Sequence, residues 1–333
     1  MKRSFLCYSA MILLMATMIL PSCRYKELCY DHDHQKDYNL ILKLNLNLDL
    51  DLGLDVDIDV KDETASTIKV PSHMVVCFYD SESDILRDME FVGPYGGPLQ
   101  VTPGAYNMVV YAFDTEFTQI RGESKINTLE AFTSDITSMK SPLFARFEKK
   151  DSTTAPGPII YTPDHLLVTR KEVVIPEYST EERVITVEAT ASTIMDTYSF
   201  EVTNISGIEY VSSVDAFITN QAKSSFFGRG VLNLNPATIY FPMEVNRQEG
   251  IFETTFNTFG KLPGESRSYL NIVVINSEGK SVTFTSDITD QFLNPEKTIV
   301  IEDSIIVPPP GGSGGIAPTV EEWNEEIHDV PIG

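Results

Sequence analysis

The sequence predicts an all-β protein built from two β-sandwich domains in tandem, with little helix. Three observations carry this expectation. From residue 42 to residue 60 every second position is aliphatic: Leu42, Leu44, Leu46, Leu48, Leu50, Leu52, Leu54, Val56, Ile58 and Val60. Period two buries one face of an extended strand and wets the other, and no helix can bury that pattern. Many further short apolar runs follow, separated by turn signals such as Gly96-Gly97-Pro98, Pro103-Gly104 and Pro263-Gly264, the spacing of a sandwich. Finally, 333 residues is the length of about two domains.

Taken in order, residues 1–22 read as an export signal: Lys2 and Arg3, then sixteen mainly apolar residues from Phe5 to Leu20. That run is shorter than the roughly 20 residues that span a bilayer. It closes in Leu20-Pro21-Ser22-Cys23, which resembles a lipobox. Cys23 is therefore the expected lipidation site: its thiol takes a diacylglycerol, cleavage follows, and the new amine is acylated. Each buried methylene of such an anchor contributes about 0.8 kcal/mol. Residues 23–37, polar and charged, form the expected lipidated tether.

The first sandwich is expected over residues 38–169 and the second over 170–310. Strand candidates are 42–60, 73–80, 105–113, 117–121, 159–168, 183–189, 197–203, 210–219, 225–232, 250–259, 268–275, 281–285 and 298–307, with one helical excursion at 125–133. Gly53 marks a bulge or bend in the first of these. The string FTSDIT occurs at 132–137 and 284–289, but its flanks do not align, so it does not indicate a duplication. Pro308–Pro310 and the Gly-rich 311–315 make a stiff and then a flexible link. The acidic tail beyond it, to residue 333, holds the sole tryptophan, Trp323, expected to dock on the second domain.

The net charge is −23, and loss of residues 1–22 with Lys2 and Arg3 takes it to −25. Such a surface repels phosphate backbones and argues against nucleic acid as a partner. Asp31-His32-Asp33-His34 contains metal-binding residue types, but its place in a tether favours a solvated segment. Asp49, Asp51, Asp55, Asp57 and Asp59 lie along one strand face. That face spaces side chains about 6.6 Å apart in a line, whereas calcium needs six to eight converging oxygens; no metal or cofactor is expected. His73, His165 and His328 are scattered, no nucleophile elbow or zinc-protease motif is present, and no catalytic residue is assigned. Cys29 and Cys77 are free to pair in an oxidising compartment, but the alternation Val75–Cys77–Tyr79 reads Cys77 as a buried thiol.

Three stretches together resemble a fimbrillin-like family of surface lipoproteins related to fimbrial subunits and their anchor proteins. They are KELCYDHDH at 26–34, TPGAYNMVVYAFDTEFTQIR at 102–121 and TPDHLL at 162–167, with the tryptophan-containing end at 318–326 as a fourth. The resemblance implies two transthyretin-like Greek-key sandwiches in series and a role in fimbria assembly and cell adhesion at the outer membrane, without enzymatic activity. It also implies fimbrial subunits as partners through strand addition, in which an extended segment joins an open sheet edge. Residues 42–60 or 316–333 are the segments suited to that. No arginine processing site is evident in the first sandwich, which favours an anchor, tip or accessory subunit over a stalk subunit. The competing reading is a surface glycan- or ligand-binding lipoprotein serving nutrient uptake, which would display exposed aromatic rings.

Overall fold

The computed structural model describes residues 38–49, 68–136, 157–177, 184–264, 267–294 and 297–310. Cys23, Cys29, Trp323, the alternating positions from Leu50 onward and the tail from residue 311 lie outside the described residues. The described chain is nearly all strand. In order, its first part holds β1 (Leu40–Leu46), β2 (Met74–Asp80), β3 (Leu86–Val92), β4 (Gly96–Leu99), β5 (Gly104–Ala112), β6 (Gln119–Arg121) and β7 (Glu130–Phe132). Then come β8 (Ile159–Tyr161), β9 (Leu167–Ile175), β10 (Ile185–Thr193), β11 (Asp196–Val202), β12 (Ile205–Ser206), β13 (Val211–Ala222), β14 (Ser224–Phe226) and β15 (Val231–Leu232). The last part holds β16 (Pro236–Asn246), β17 (Ile251–Thr258), β18 (Tyr269–Asn276), β19 (Ser281–Asp287), β20 (Thr298–Ile301) and β21 (Ile305–Ile306).

The alternation of the N-terminal run is realised where it is described: Leu40, Leu42 and Leu44 are buried while Lys43 and Asn45 are exposed. β1 lies between β10, to which it is parallel, and the short β4. The first sheet runs β3-β2-β5-β9-β10-β1-β4. Its two end strands are joined by only three residues, 93–95. Seven strands laid flat would span about 29 Å at roughly 4.8 Å per gap, but that connection reaches at most about 14 Å. The sheet therefore curls back on itself. Gly96 makes the return possible: at φ +91° it passes so close to β1 that a Cβ would stand 2.2 Å from the Leu42 carbonyl oxygen.

The second sheet runs β19-β18-β13-β16-β17-β11-β20, with β8 beside β16. β16 divides its pairing: residues up to Met243 pair β13, and Glu244 to Asn246 pair β17. One strand thus serves two layers, and a core closes between them. Phe241 stacks on Phe256 at 4.5 Å between centroids, and Tyr198 meets Phe292 edge-on at 4.8 Å. Such pairs add about 0.5–1.5 kcal/mol each beyond area burial.

Two expectations are corrected or refined. The helical excursion at 125–133 is a single 3₁₀ turn, Ile126–Thr128, followed by β7. Lys125 and Leu129 are extended, and β7 is held between β6 and β14, so tertiary pairing overrides local preference. The residue-170 junction falls inside β9, which pairs β5 from Gly104↔Ile175 to Tyr111↔Val168. β10 also belongs to the first sheet, and the change of core comes between Met195 and Tyr198.

The first core is not assembled from the first part of the chain alone. Ala222, Phe227, Phe259 and Leu262 pack into it. Phe227, at 0% exposure, sits in the turn between β14 and β15 and meets Tyr111 edge-on at 5.3 Å. Gly228 lets that turn approach, since a Cβ there would lie 2.1 Å from the Ile126 carbonyl oxygen. Phe227→Ala should cost about 3–5 kcal/mol of stability, read as a lower urea midpoint; a change within error would show that the ring is not part of the core.

Candidate functional site

Two of the motifs singled out in the sequence meet in space. Asp164, in TPDHLL, accepts hydrogen bonds from the backbone N–H of Phe117 and of Thr118, the latter at 3.0 Å. Thr118 Oγ1 in turn accepts from Asp164 N at 2.8 Å. The Asp-Thr-Glu turn at 114–116 is fixed by Thr115 Oγ1 donating to the Thr118 carbonyl at 2.6 Å. Asp114 accepts from Ser72 N at 2.7 Å. The second motif is thus tied to β2's approach on one side and to the inter-core crossing on the other.

TPDHLL also reaches the second core. Thr162 Oγ1 donates to the Asn257 carbonyl and accepts from Asn257 N, both at 2.9 Å. The buried Asn257 side chain donates to the Pro163 carbonyl at 3.0 Å and accepts from Thr197 Oγ1 at 2.9 Å. His165 Nδ1 lies 3.1 Å from Thr193 Oγ1, a contact within the junction. Each buried polar group here has its partner, as it must, because an orphan would cost about 1–3 kcal/mol.

A second bridge between the halves of the chain centres on Glu130, 5% exposed. Its carboxylate accepts from Arg121 Nε at 2.6 Å, from Ser224 Oγ, and from Asn233 Nδ2 at 3.4 Å. Burial alone would raise this carboxyl, but the hydrogen bonds from Arg121, Ser224 and Asn233 and the guanidinium charge outweigh it and hold it below the usual glutamate range. Arg121 also covers the Phe132 ring at 4.3 Å. Nearby, Arg229 joins Asp84 and, at 2.7 Å, Asn127, and Arg170 Nη1 donates to the Phe227 carbonyl at 3.1 Å. Sequence reading missed Glu130, Arg229 and Asn257, since nothing local marks a charge or amide that is satisfied from some 95–145 residues away.

The chemistry-bearing residues are placed as follows. Cys77 is fully buried and free, and burial pushes its thiol up to about 12. Tyr79 and Tyr111 are themselves pushed up by burial, and their hydroxyls donate to Glu123, at 3.0 Å to its carbonyl and 2.8 Å to its carboxylate. His73 is exposed beside Ser72, Nδ1 to Oγ 3.2 Å. Among the described residues, no three His, Cys, Asp or Glu side chains converge as a metal site would require. Asp49 is exposed beyond β1. Cys23, Asp31-His32-Asp33-His34, His328 and Asp51 through Asp59 lie outside the described residues.

Comparison with known proteins gives concordant results. A family model described as a domain of unknown function, DUF5119, matches residues 22–242. Fim4B of Bacteroides ovatus, named as a candidate fimbrium anchoring subunit, is 23% identical over 303 residues, covering 80% of this chain and 86% of that protein. The crystal structure of a candidate adhesin from the same species superposes with a TM-score of 0.58 at 23% identity, over 82% of this chain and 93% of that one, which shows the shared fold. The fimbrial anchor protein Mfa2 of Porphyromonas gingivalis aligns with a TM-score of 0.42 at 13% identity, over 78% of this chain and 90% of that one. The family match ends inside β16 and so includes the Phe227 turn that completes the first core.

The Glu130 bridge has a pH signature. A carboxyl held below its unfolded value, about 4.3, contributes stability above that pH and loses it as pH falls through the folded value. Glu130→Gln should lower the urea midpoint at neutral pH and flatten its decline below about pH 5; an unchanged acid limb would show that the carboxylate is not the linked group.

Proposed function

The chain belongs to the DUF5119 family, and on that premise we propose that it is a non-enzymatic, lipid-anchored fimbrillin-like protein of the outer membrane, acting as an anchor, tip or accessory subunit in fimbria assembly and cell adhesion. The observation that carries this reading is the likeness to the fimbrial-anchor candidate, which extends over most of both chains and does not stop at one sandwich. Cys23, through its acyl chains, holds the protein to the membrane, residues 23–37 act as tether, and two sandwich domains in series face outward. The acidic surface keeps those domains soluble and clear of anionic lipid. Fimbrial subunits are the partners, engaged through sheet edges or exposed faces.

One observation favours the second reading, a glycan- or ligand-binding lipoprotein for nutrient uptake. Phe91 and Phe113 are 56% and 60% exposed and meet edge-on at 5.4 Å, a pair of rings able to stack on a sugar. A glycan array separates the two: binding lost in Phe91→Ala would favour uptake, and its absence leaves assembly.

Expressed in cells, Cys23→Ser should abolish palmitate labelling and release the chain from the membrane, and fimbrial subunits should co-purify with the wild type. A serine variant that stays membrane-bound would overturn the anchor, and a wild type that brings down no fimbrial subunit would overturn the assembly role.

A further inference from the structure

An exposed strand edge is a hazard that proteins blunt with charge, proline, bulges or brevity. The edges of the described sheets show these devices in turn. β3 carries Arg87, Asp88 and Glu90 and is bulged against β2 between Phe78 and Tyr79. β4 is four residues long and contains Gly96, Gly97 and Pro98. The outward Val300 N–H of β20 is capped by the Gln291 side chain at 2.9 Å. β8 spans three residues, and its free side is met by Ile136 N at 2.8 Å from the Ile159 carbonyl.

β19 has only one of them, the charge of Asp287 at its end. Its sequence is SVTFTSD, with no charge before Asp287 and no proline or glycine. It pairs β18 in seven consecutive steps, Tyr269↔Asp287 to Ile275↔Ser281, without a bulge. It ends the strand order of its sheet, and among the described residues no strand lies beyond it. Thr283, Thr285 and Asp287 are exposed on one face, while Val282, Phe284 and Ser286 are half-buried on the other, Phe284 against the second core.

We infer that β19 is a docking edge for β19 of a second copy of this chain, paired antiparallel about a two-fold axis perpendicular to the sheet. Such an axis keeps inner residues inward and outer residues outward, so only registers that pair like faces are allowed, and the interface is the same patch used twice. Centred on Phe284, the strand is self-complementary. Phe284 meets its counterpart, Thr283 meets Thr285 of the second copy, and Val282 meets Ser286. Asp287 faces Ser281 and not another acid. No like charges stand opposite one another, which is notable in a chain of net charge −23 and is what cross-strand pairing requires. The contact is small, so the dimer is weak and reversible. It would fuse the two half-sheets that end in β19 into one continuous sheet.

Sedimentation of the full chain over a concentration series tests this at the level of register. The wild type should rise toward twice the monomer mass. Thr283→Lys with Thr285→Lys sets lysine against lysine across the strands and should return it to monomer, although it lowers the general charge repulsion. Thr283→Lys with Thr285→Glu sets lysine against glutamate and should restore association. Circular dichroism and melting temperature confirm that each variant is folded. A wild type that stays monomeric throughout, whether or not it takes up an extended peptide, overturns the proposal. So does a folded double-lysine variant that associates as well as the wild type, or a folded lysine–glutamate variant that fails to associate.

Discussion

The structure depends on one packing constraint: the first core is closed by residues supplied from beyond the change of core. Phe227 fills it from the β14–β15 turn, and Ala222, Phe259 and Leu262 line it. Without them Tyr111, Leu129 and their neighbours would face a void, and a lost aromatic ring in a packed interior is among the most costly single changes. The polar bridges follow from this closure. Glu130 can sit buried because Ser224 and Asn233 arrive with the same hairpin, and Asn257 can sit buried because Thr162, Pro163 and Thr197 surround it. Apolar insertion brings the segments together, and the hydrogen bonds fix their register.

This interlock gives physical content to the proposed role. A protein that links a membrane tether to a filament must carry load from one half to the other. Two sandwiches joined only by a linker would hinge, because inter-domain contacts are usually modest in area and mobile. Here the crossing is held by the Asp164 and Asn257 hydrogen bonds, the Glu130 and Arg229 bridges, and the Phe227 ring, on separate segments of chain. A crossing tied at several separate points resists bending better than any one of them.

Much of the strand content was legible because burial imposes period two. Leu40 to Leu44 and the run that became β11 show it directly, whereas β2, β5 and β18, buried almost throughout, were legible as short apolar runs. The strands that sequence reading missed each had a physical reason to look like something else. β3 carries three charges because it is an edge. β4 is mostly glycine and proline because it must squeeze past Leu42. β16 carries two prolines, Pro236 at its start and Pro242 within it, and serves two layers. TPDHLL was recognised as a junction, but its partners Phe117, Thr118 and Asn257 lie some 46–95 residues away and leave no local trace. The contact between the two halves was not legible for the same reason: the turn at 226–231 reads as a surface hairpin until the core that receives Phe227 is known.

Native-state hydrogen exchange tests the interlock most directly, since it reports the opening free energy of each amide separately. Amides of β2 and β5 in the first core and of β13 and β18 in the second should exchange through openings of equal free energy, because the first core takes Phe227 and Phe259 from the later half of the chain and the second takes Ile160 from the earlier half. If the amides of one core opened several kcal/mol more easily than those of the other, the halves would be independent units, and the interlock would be contradicted.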